Sequence, residues 1–72
     1  MAYVILNSEM GFENDVLEAL KDIPEVREAF KVYGVYDIII LVEADTVGKL
    51  KELILEIRQM KKVRSTLMMI VV

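Results

Sequence analysis

The sequence predicts an α+β domain in which two helices cover one face of a four-stranded antiparallel sheet. Apolar runs typical of strands alternate with segments whose apolar residues recur every three or four positions, as in amphipathic helices. The resulting order is strand, helix, strand, strand, helix, strand. Residues 38–42 are aliphatic without a polar interruption, which is typical of a strand that is covered on both faces. Two crossovers around a central hairpin give the ferredoxin-like βαββαβ arrangement.

The first half of the chain contains two predicted strands and one helix. Residues 2–8 are predicted as a strand because aromatic, β-branched and aliphatic residues precede a turn-favouring Asn-Ser pair. A helix is expected from after Gly11 to about Asp22, since acidic residues lie in its first turn and Pro24 follows its end. The charged segment 25–33 is predicted as an edge strand. The helix has a predicted apolar stripe of Phe12, Val16, Ala19, Leu20 and Ile23.

The second half begins at a glycine turn. Gly34 is predicted to lead a hairpin into a central strand at residues 36–44, because glycine adopts positive φ without strain. Asp45 and Thr46 are expected to cap the second helix, and residues 63–72 form the last predicted strand. The apolar stripe of the second helix comprises Val47, Leu50, Leu53, Ile54, Ile57 and Met60. No linker remains, so residues 1–72 are predicted as a single domain.

The composition excludes several classes of function. The net charge is −3, from 9 basic and 12 acidic residues, which disfavours direct binding to nucleic acid. The chain contains neither cysteine nor histidine, so disulfides and the usual metal, haem and iron–sulfur ligands are missing, and we expect no cofactor and no metal. No apolar run approaches the roughly 20 residues that span a bilayer, and no signal peptide is recognised. We therefore expect no membrane association and a cytoplasmic location; the abundance of Glu, Lys, Ile and Val suggests a heat-adapted source.

The apolar strands predict self-association. With both helices on one side of the sheet, about half of the side chains in residues 3–6, 38–42 and 67–72 face solvent. Burial of each of these side chains contributes roughly 1.5–3 kcal/mol, which amounts to on the order of 10 kcal/mol per subunit. Association costs about 4–15 kcal/mol. We expect a homodimer whose sheets pack face to face around a two-fold axis.

No arrangement of residues suggests catalysis. Without Cys or His, a nucleophile and its base would have to come from Ser, Lys, Asp, Glu or Tyr, and no spacing in the sequence suggests such a pair. The carboxylates of both helices are interpreted as solvated, and the cluster of Lys61, Lys62 and Arg64 as a solvated helix end. The protein is not expected to be an enzyme.

The whole chain resembles the effector-binding domain of the Lrp/AsnC family, also called the regulation of amino-acid metabolism (RAM) domain. The most specific matching feature is the Gly-x-Tyr-Asp hairpin. The residues that carry the resemblance are the apolar first strand, Gly11, Ile23-Pro24-Glu25-Val26, Gly34-Val35-Tyr36-Asp37, Val63, Thr66 and Ile70-Val71.

This resemblance implies a transcription-regulating domain that dimerises through its sheets, assembles further into rings such as octamers, and binds a free amino acid between dimers. Full-length family members also carry an amino-terminal helix-turn-helix. This sequence is similar to the stand-alone form, which would act through a full-length Lrp/AsnC regulator. The alternative is a ligand-independent interaction module that co-assembles with a DNA-binding relative.

The resemblance also implies a ligand site. Gly34 would offer its backbone to the amino acid, Tyr36 would wall the pocket, and Asp37 would meet the ammonium group or orient the turn. Thr66 would contribute a hydroxyl group. Met68 replaces a second threonine or serine of the family, which favours an apolar ligand side chain or weaker binding. Two alternatives stay open: Asp37 caps its own hairpin, and Tyr36 packs at a subunit contact.

Overall fold

The computed structural model describes residues 1–71 and confirms the ferredoxin-like α+β prediction. The elements are β1 (Ala2–Ser8), α1 (Glu13–Lys21), β2 (Val26–Lys31), β3 (Ile38–Val42), α2 (Val47–Arg58) and β4 (Val63–Ile70). All strand pairs are antiparallel, and the strand order is β2-β3-β1-β4. As predicted, β2 lies at an edge and β3 lies inside the sheet.

The connection between β2 and β3 is longer than a tight hairpin turn. Gly34 has the expected positive φ of 140°, but β3 begins at Ile38 rather than at residue 36. The backbone N–H of Val32 donates to the carbonyl of Asp37 over 2.8 Å and closes this connection. At the other end of the chain β4 ends at Ile70; the predicted last strand residue, Val72, lies outside the described residues.

The helices bury narrower stripes than the sequence predicts. In α1 the buried residues are Val16 and Leu20; Ala19 is exposed, and Leu17 is half-buried against the core instead. In α2 the buried residues are Leu50, Leu53 and Ile57. Val47 is exposed at the first turn, and Met60 packs against the core from the turn beyond the helix.

Alternate residues of the inner strands form the core beneath the helices. In β1 and β3 these residues are fully or almost fully buried: Ala2, Val4, Leu6, Ser8, Ile38, Ile40 and Val42. They join the helix residues in one cluster. Because successive strand residues point to opposite faces, the residues between them form the other face of the sheet.

The N-cap of α2 gives the first testable prediction. The Oγ1 of Thr46 accepts a hydrogen bond from the backbone N–H of Lys49 over 3.1 Å, and loss of such a cap costs about 1 kcal/mol. Thr46→Ala is expected to lower the free energy of unfolding by that amount in urea titrations at a fixed protein concentration. Thr46→Ser keeps the hydroxyl group and serves as the control. Equal stabilities of the two variants would show that the cap contributes nothing.

Candidate functional site

The uncovered side of the sheet carries a continuous apolar surface, which we call the open face. The strand register places Ile5 between Ile39 and Leu67, and Tyr3 between Leu41 and Met69. Its large apolar residues come from all four strands: Tyr3, Ile5, Phe30, Ile39, Leu41, Leu67 and Met69. Phe30 is 51% exposed and Met69 46%, although both are paired within strands of the sheet. The open face is therefore an apolar surface that no segment among residues 1–71 covers.

Asp37 holds the start of β3 against the end of β1. Its Oδ2 accepts a hydrogen bond from the backbone N–H of Ser8 over 3.1 Å, and its own N–H donates to the carbonyl of Leu6 over 3.1 Å. The backbone carbonyl of Asp37 closes the hairpin, as described above. The carboxylate therefore caps β1 rather than the hairpin itself.

Asp37 also lines an open cleft of about 520 Å³, the Asp37 cleft. Its walls are formed by Asn7, Ser8, Met10, Glu13, Val35, Asp37, Arg64 and Ser65. The Oγ of Ser8 is buried, and within residues 1–71 it has no hydrogen-bond partner. An unsatisfied buried polar group costs about 1–3 kcal/mol. The cleft thus combines two carboxylates and one guanidinium, a set that suits a small zwitterion.

The other residues implied by the resemblance do not converge on this cleft within one subunit. Gly34 is exposed and Tyr36 half-buried, and neither lines the Asp37 cleft. Thr66 and Met68 lie opposite Leu6 and Val4 in the register, on the helix-covered side of the sheet. Thr66 accepts a hydrogen bond from Arg58, and Met68 lines an apolar groove beside α2.

Of the eight residues that line the cleft, seven were not predicted as site residues, and Glu13, Ser8 and Arg64 are the three that bear on its chemistry. Glu13 is half-buried rather than solvated, and its Oε2 accepts from the N–H of Gly11 over 3.1 Å. Ser8 looked like a turn residue in the sequence. Arg64 is the extra residue of a β-bulge, because two steps of β4 from Val63 to Ser65 match one step of β1. No pattern in the sequence signals a bulge of this kind.

Residues 1–71 contain no group of three or more Asp, Glu, His or Cys side chains that could hold a metal ion. Among the same residues, no helix has both the length and the apolar character that crossing a bilayer requires.

Comparison with known proteins identifies the family. The sequence model of the Lrp/AsnC ligand binding domain matches residues 2–72. The crystal structure of FFRP-DM1 is similar, with 42% identity and a TM-score of 0.95 over 99% of this chain and 96% of that one. The hypothetical protein PHS023 from Pyrococcus horikoshii has 42% identity and a TM-score of 0.92, over 99% and 87%.

The similarity extends to a larger protein. AsnC of E. coli has 26% identity and a TM-score of 0.90, and the match covers 99% of this chain but 49% of AsnC. No curated protein sequence matches significantly. Because the family match spans nearly the whole chain, the protein belongs to the Lrp/AsnC ligand binding domain family, a regulatory domain of transcriptional regulators.

Proposed function

We propose that this chain is an amino-acid-sensing, oligomerising domain of the Lrp/AsnC type. The observation that carries the proposal is the open face, a patch of large apolar side chains spread over four strands. Patches of this kind on soluble proteins mark interaction surfaces or aggregation hazards. Burial contributes roughly 1.5–3 kcal/mol per side chain. The free energy gained when two subunits cover each other's patch therefore exceeds the free-energy cost of association.

A second copy of the same chain fits the open face. A two-fold axis brings identical patches together, so each subunit supplies the apolar surface that the other needs. Two sheets that stack about 10 Å apart would interdigitate these side chains in a common core. We propose that the dimer is the basic unit and that dimers associate further into a ring.

The Asp37 cleft is the proposed ligand site. Asp37 uses one oxygen to hold Ser8, so its other oxygen is free to accept from the ammonium group of an amino acid. Arg64 would pair with the ligand carboxylate. Val35 is 84% exposed at the rim of the cleft, where a neighbouring dimer would cover it. Gly34, Tyr36, Thr66 and Met68 would reach the ligand from other subunits of the ring.

The proposed output passes through protein assembly. A ligand that binds one assembly state better than another shifts the equilibrium towards that state. We propose that a full-length Lrp/AsnC regulator is the partner, because a related sheet could pair with the open face in a mixed dimer.

A screen of the twenty amino acids tests this function. At least one is expected to raise the melting temperature and to change the mass in solution, measured by light scattering. Asp37→Asn keeps an oxygen for the Ser8 N–H but loses the charge, so the responding amino acid should bind about tenfold or more weakly. Asp15→Asn, an exposed change on α1, is the control. Silence across all twenty amino acids would reject amino-acid sensing.

One observation favours the alternative of a ligand-independent interaction module. The hydroxyl group of Thr66 is already engaged by Arg58 over 3.0 Å, and Met68 supplies only a weak acceptor. In that case a mixed dimer with a DNA-binding relative would form with the same affinity in the presence and absence of amino acids.

A further inference from the structure

We propose that a second cleft, which shares Arg64 and Ser65 with the Asp37 cleft, binds a phosphate-bearing small molecule. This arginine cleft has a volume of about 430 Å³ and lies beside the outer edge of β4, near the end of α2. It is lined by Arg58, Val63, Arg64, Ser65 and Thr66. No acidic residue is among the described residues that line it.

The charge distribution along the chain supports an anion at this place. The net charge of −3 conceals a strong asymmetry. All 12 acidic residues lie at or before Glu56, whereas Arg58, Lys61, Lys62 and Arg64 fall within a short segment after it. Because Lys62 is offset by Glu9, the charges that attract a small anion here are those of the two arginines that line the cleft.

The geometry of Arg58 makes the cleft rich in donors. The Nε of Arg58 donates to Thr66 Oγ1 over 3.0 Å, which orients the guanidinium and leaves its terminal N–H groups free of protein partners within residues 1–71. Because Thr66 Oγ1 is the acceptor in that bond, its own hydrogen remains available. The helix dipole also favours a cation in the last turn of α2, but this effect does not explain a second arginine on the same cleft.

Arg64 supplies the second guanidinium. As the extra residue of the bulge in β4, it is displaced from the regular alternation of side chains. Within residues 1–71 Arg64 has no hydrogen bond or ion pair through its side chain. Lys62 differs, since its Nζ lies 4.0 Å from Glu9 Oε2 and 4.1 Å from the centre of the Phe12 ring. Arg64 is thus a free cation next to an oriented one.

This pair of arginines matches a phosphate better than a carboxylate. A planar carboxylate is satisfied by one guanidinium fork, whereas a phosphate group carries up to two charges and several acceptor oxygens. Nucleic acid is disfavoured as the source of the phosphate, because its binding normally needs many contacts along an extended basic surface. A compact mono- or oligophosphate is therefore the expected ligand.

Titration calorimetry with pyrophosphate at low salt tests the proposal. We expect saturable binding, weakened about tenfold or more by Arg58→Gln, because the charged N–H donors of the guanidinium are lost. Arg58→Lys keeps the charge but loses the fork, so it should also weaken binding. Arg27→Gln is the matched control. Arg27 belongs to β2, at the opposite edge of the sheet from β4, and its side chain pairs with Glu43.

Several outcomes would overturn this inference. They are a lack of pyrophosphate binding by the unmodified protein, an equal loss in Arg27→Gln and Arg58→Gln, or full affinity in Arg58→Lys. Binding of a short DNA duplex in preference to pyrophosphate would also overturn it. Circular dichroism of each variant checks that the fold is retained. Failure to bind pyrophosphate would not reject amino-acid sensing, which the screen of the twenty amino acids tests with a different probe.

Discussion

Leu41→Lys is expected to convert the proposed dimer into a folded monomer. Leu41 lies on the open face between Tyr3 and Glu28, so a two-fold interface would have to desolvate two added ammonium groups, with Glu28 as the neighbouring carboxylate. Hot-spot residues near the centre of an interface cost about 2 kcal/mol or more each when truncated, and desolvation of an added charge increases that loss. For two symmetric sites we expect the dissociation constant to rise about a thousandfold. Light scattering over a dilution series measures this change.

The control for this experiment is Leu55→Lys. Leu55 is 56% exposed on α2, away from the open face, so the same chemical change should leave the mass unaltered. Circular dichroism should show the same helix and strand content in both variants. A Leu41→Lys protein that stays dimeric at low micromolar concentration would exclude face-to-face packing of the sheets.

Ile40→Ala is expected to have the largest effect on stability. Ile40 is fully buried between the sheet and the helices, and truncation of a buried isoleucine to alanine costs about 2–5 kcal/mol through lost burial and the remaining cavity. For a domain of this size such a loss approaches the whole free energy of unfolding. Urea titration at fixed protein concentration should show a midpoint shifted far downwards or no folded baseline.

Ile40→Val provides the graded control. Removal of one methyl group should cost about 0.5–1.5 kcal/mol and leave a folded protein, so the proposal remains testable if the alanine variant does not fold. If both changes are neutral, Ile40 does not lie in the core. Leu41→Lys and Ile40→Ala thus distinguish the two faces of β3 through adjacent residues.

The order of the elements was predictable from the sequence, but the faces of the strands were not. Residues 38–42 are all aliphatic, so the period of two that normally identifies the buried face is lost. Only the packing of the helices, which buries Ile38, Ile40 and Val42, assigns Ile39 and Leu41 to the open face. The same holds for Phe30. It belongs to the open face because it pairs with Ile39 on the neighbouring strand β3, which the sequence does not reveal.

The candidate site was predictable in part. The Gly-x-Tyr-Asp hairpin pointed to Asp37, and the structure places that carboxylate in a cleft. Its partner Ser8 is 29 residues away in the sequence, and the two residues meet only because β1 pairs with β3. Arg64 depends on a bulge, whose position reflects a mismatch between two strands rather than a local pattern. Thr66 and Met68 face the helices because the register with β1 places them opposite the buried residues Leu6 and Val4.

Strand β1 belongs to both proposed surfaces at once. Asn7 and Ser8 at its end line the Asp37 cleft, whereas Tyr3 and Ile5 lie on the open face. A displacement of this strand would change the affinity for the effector and the affinity for the neighbouring subunit together. Thermodynamic linkage then makes the influence mutual: whatever the amino acid does to subunit affinity, subunit concentration does to amino-acid affinity. The domain would in that case report nutrient supply and its own abundance through a single equilibrium.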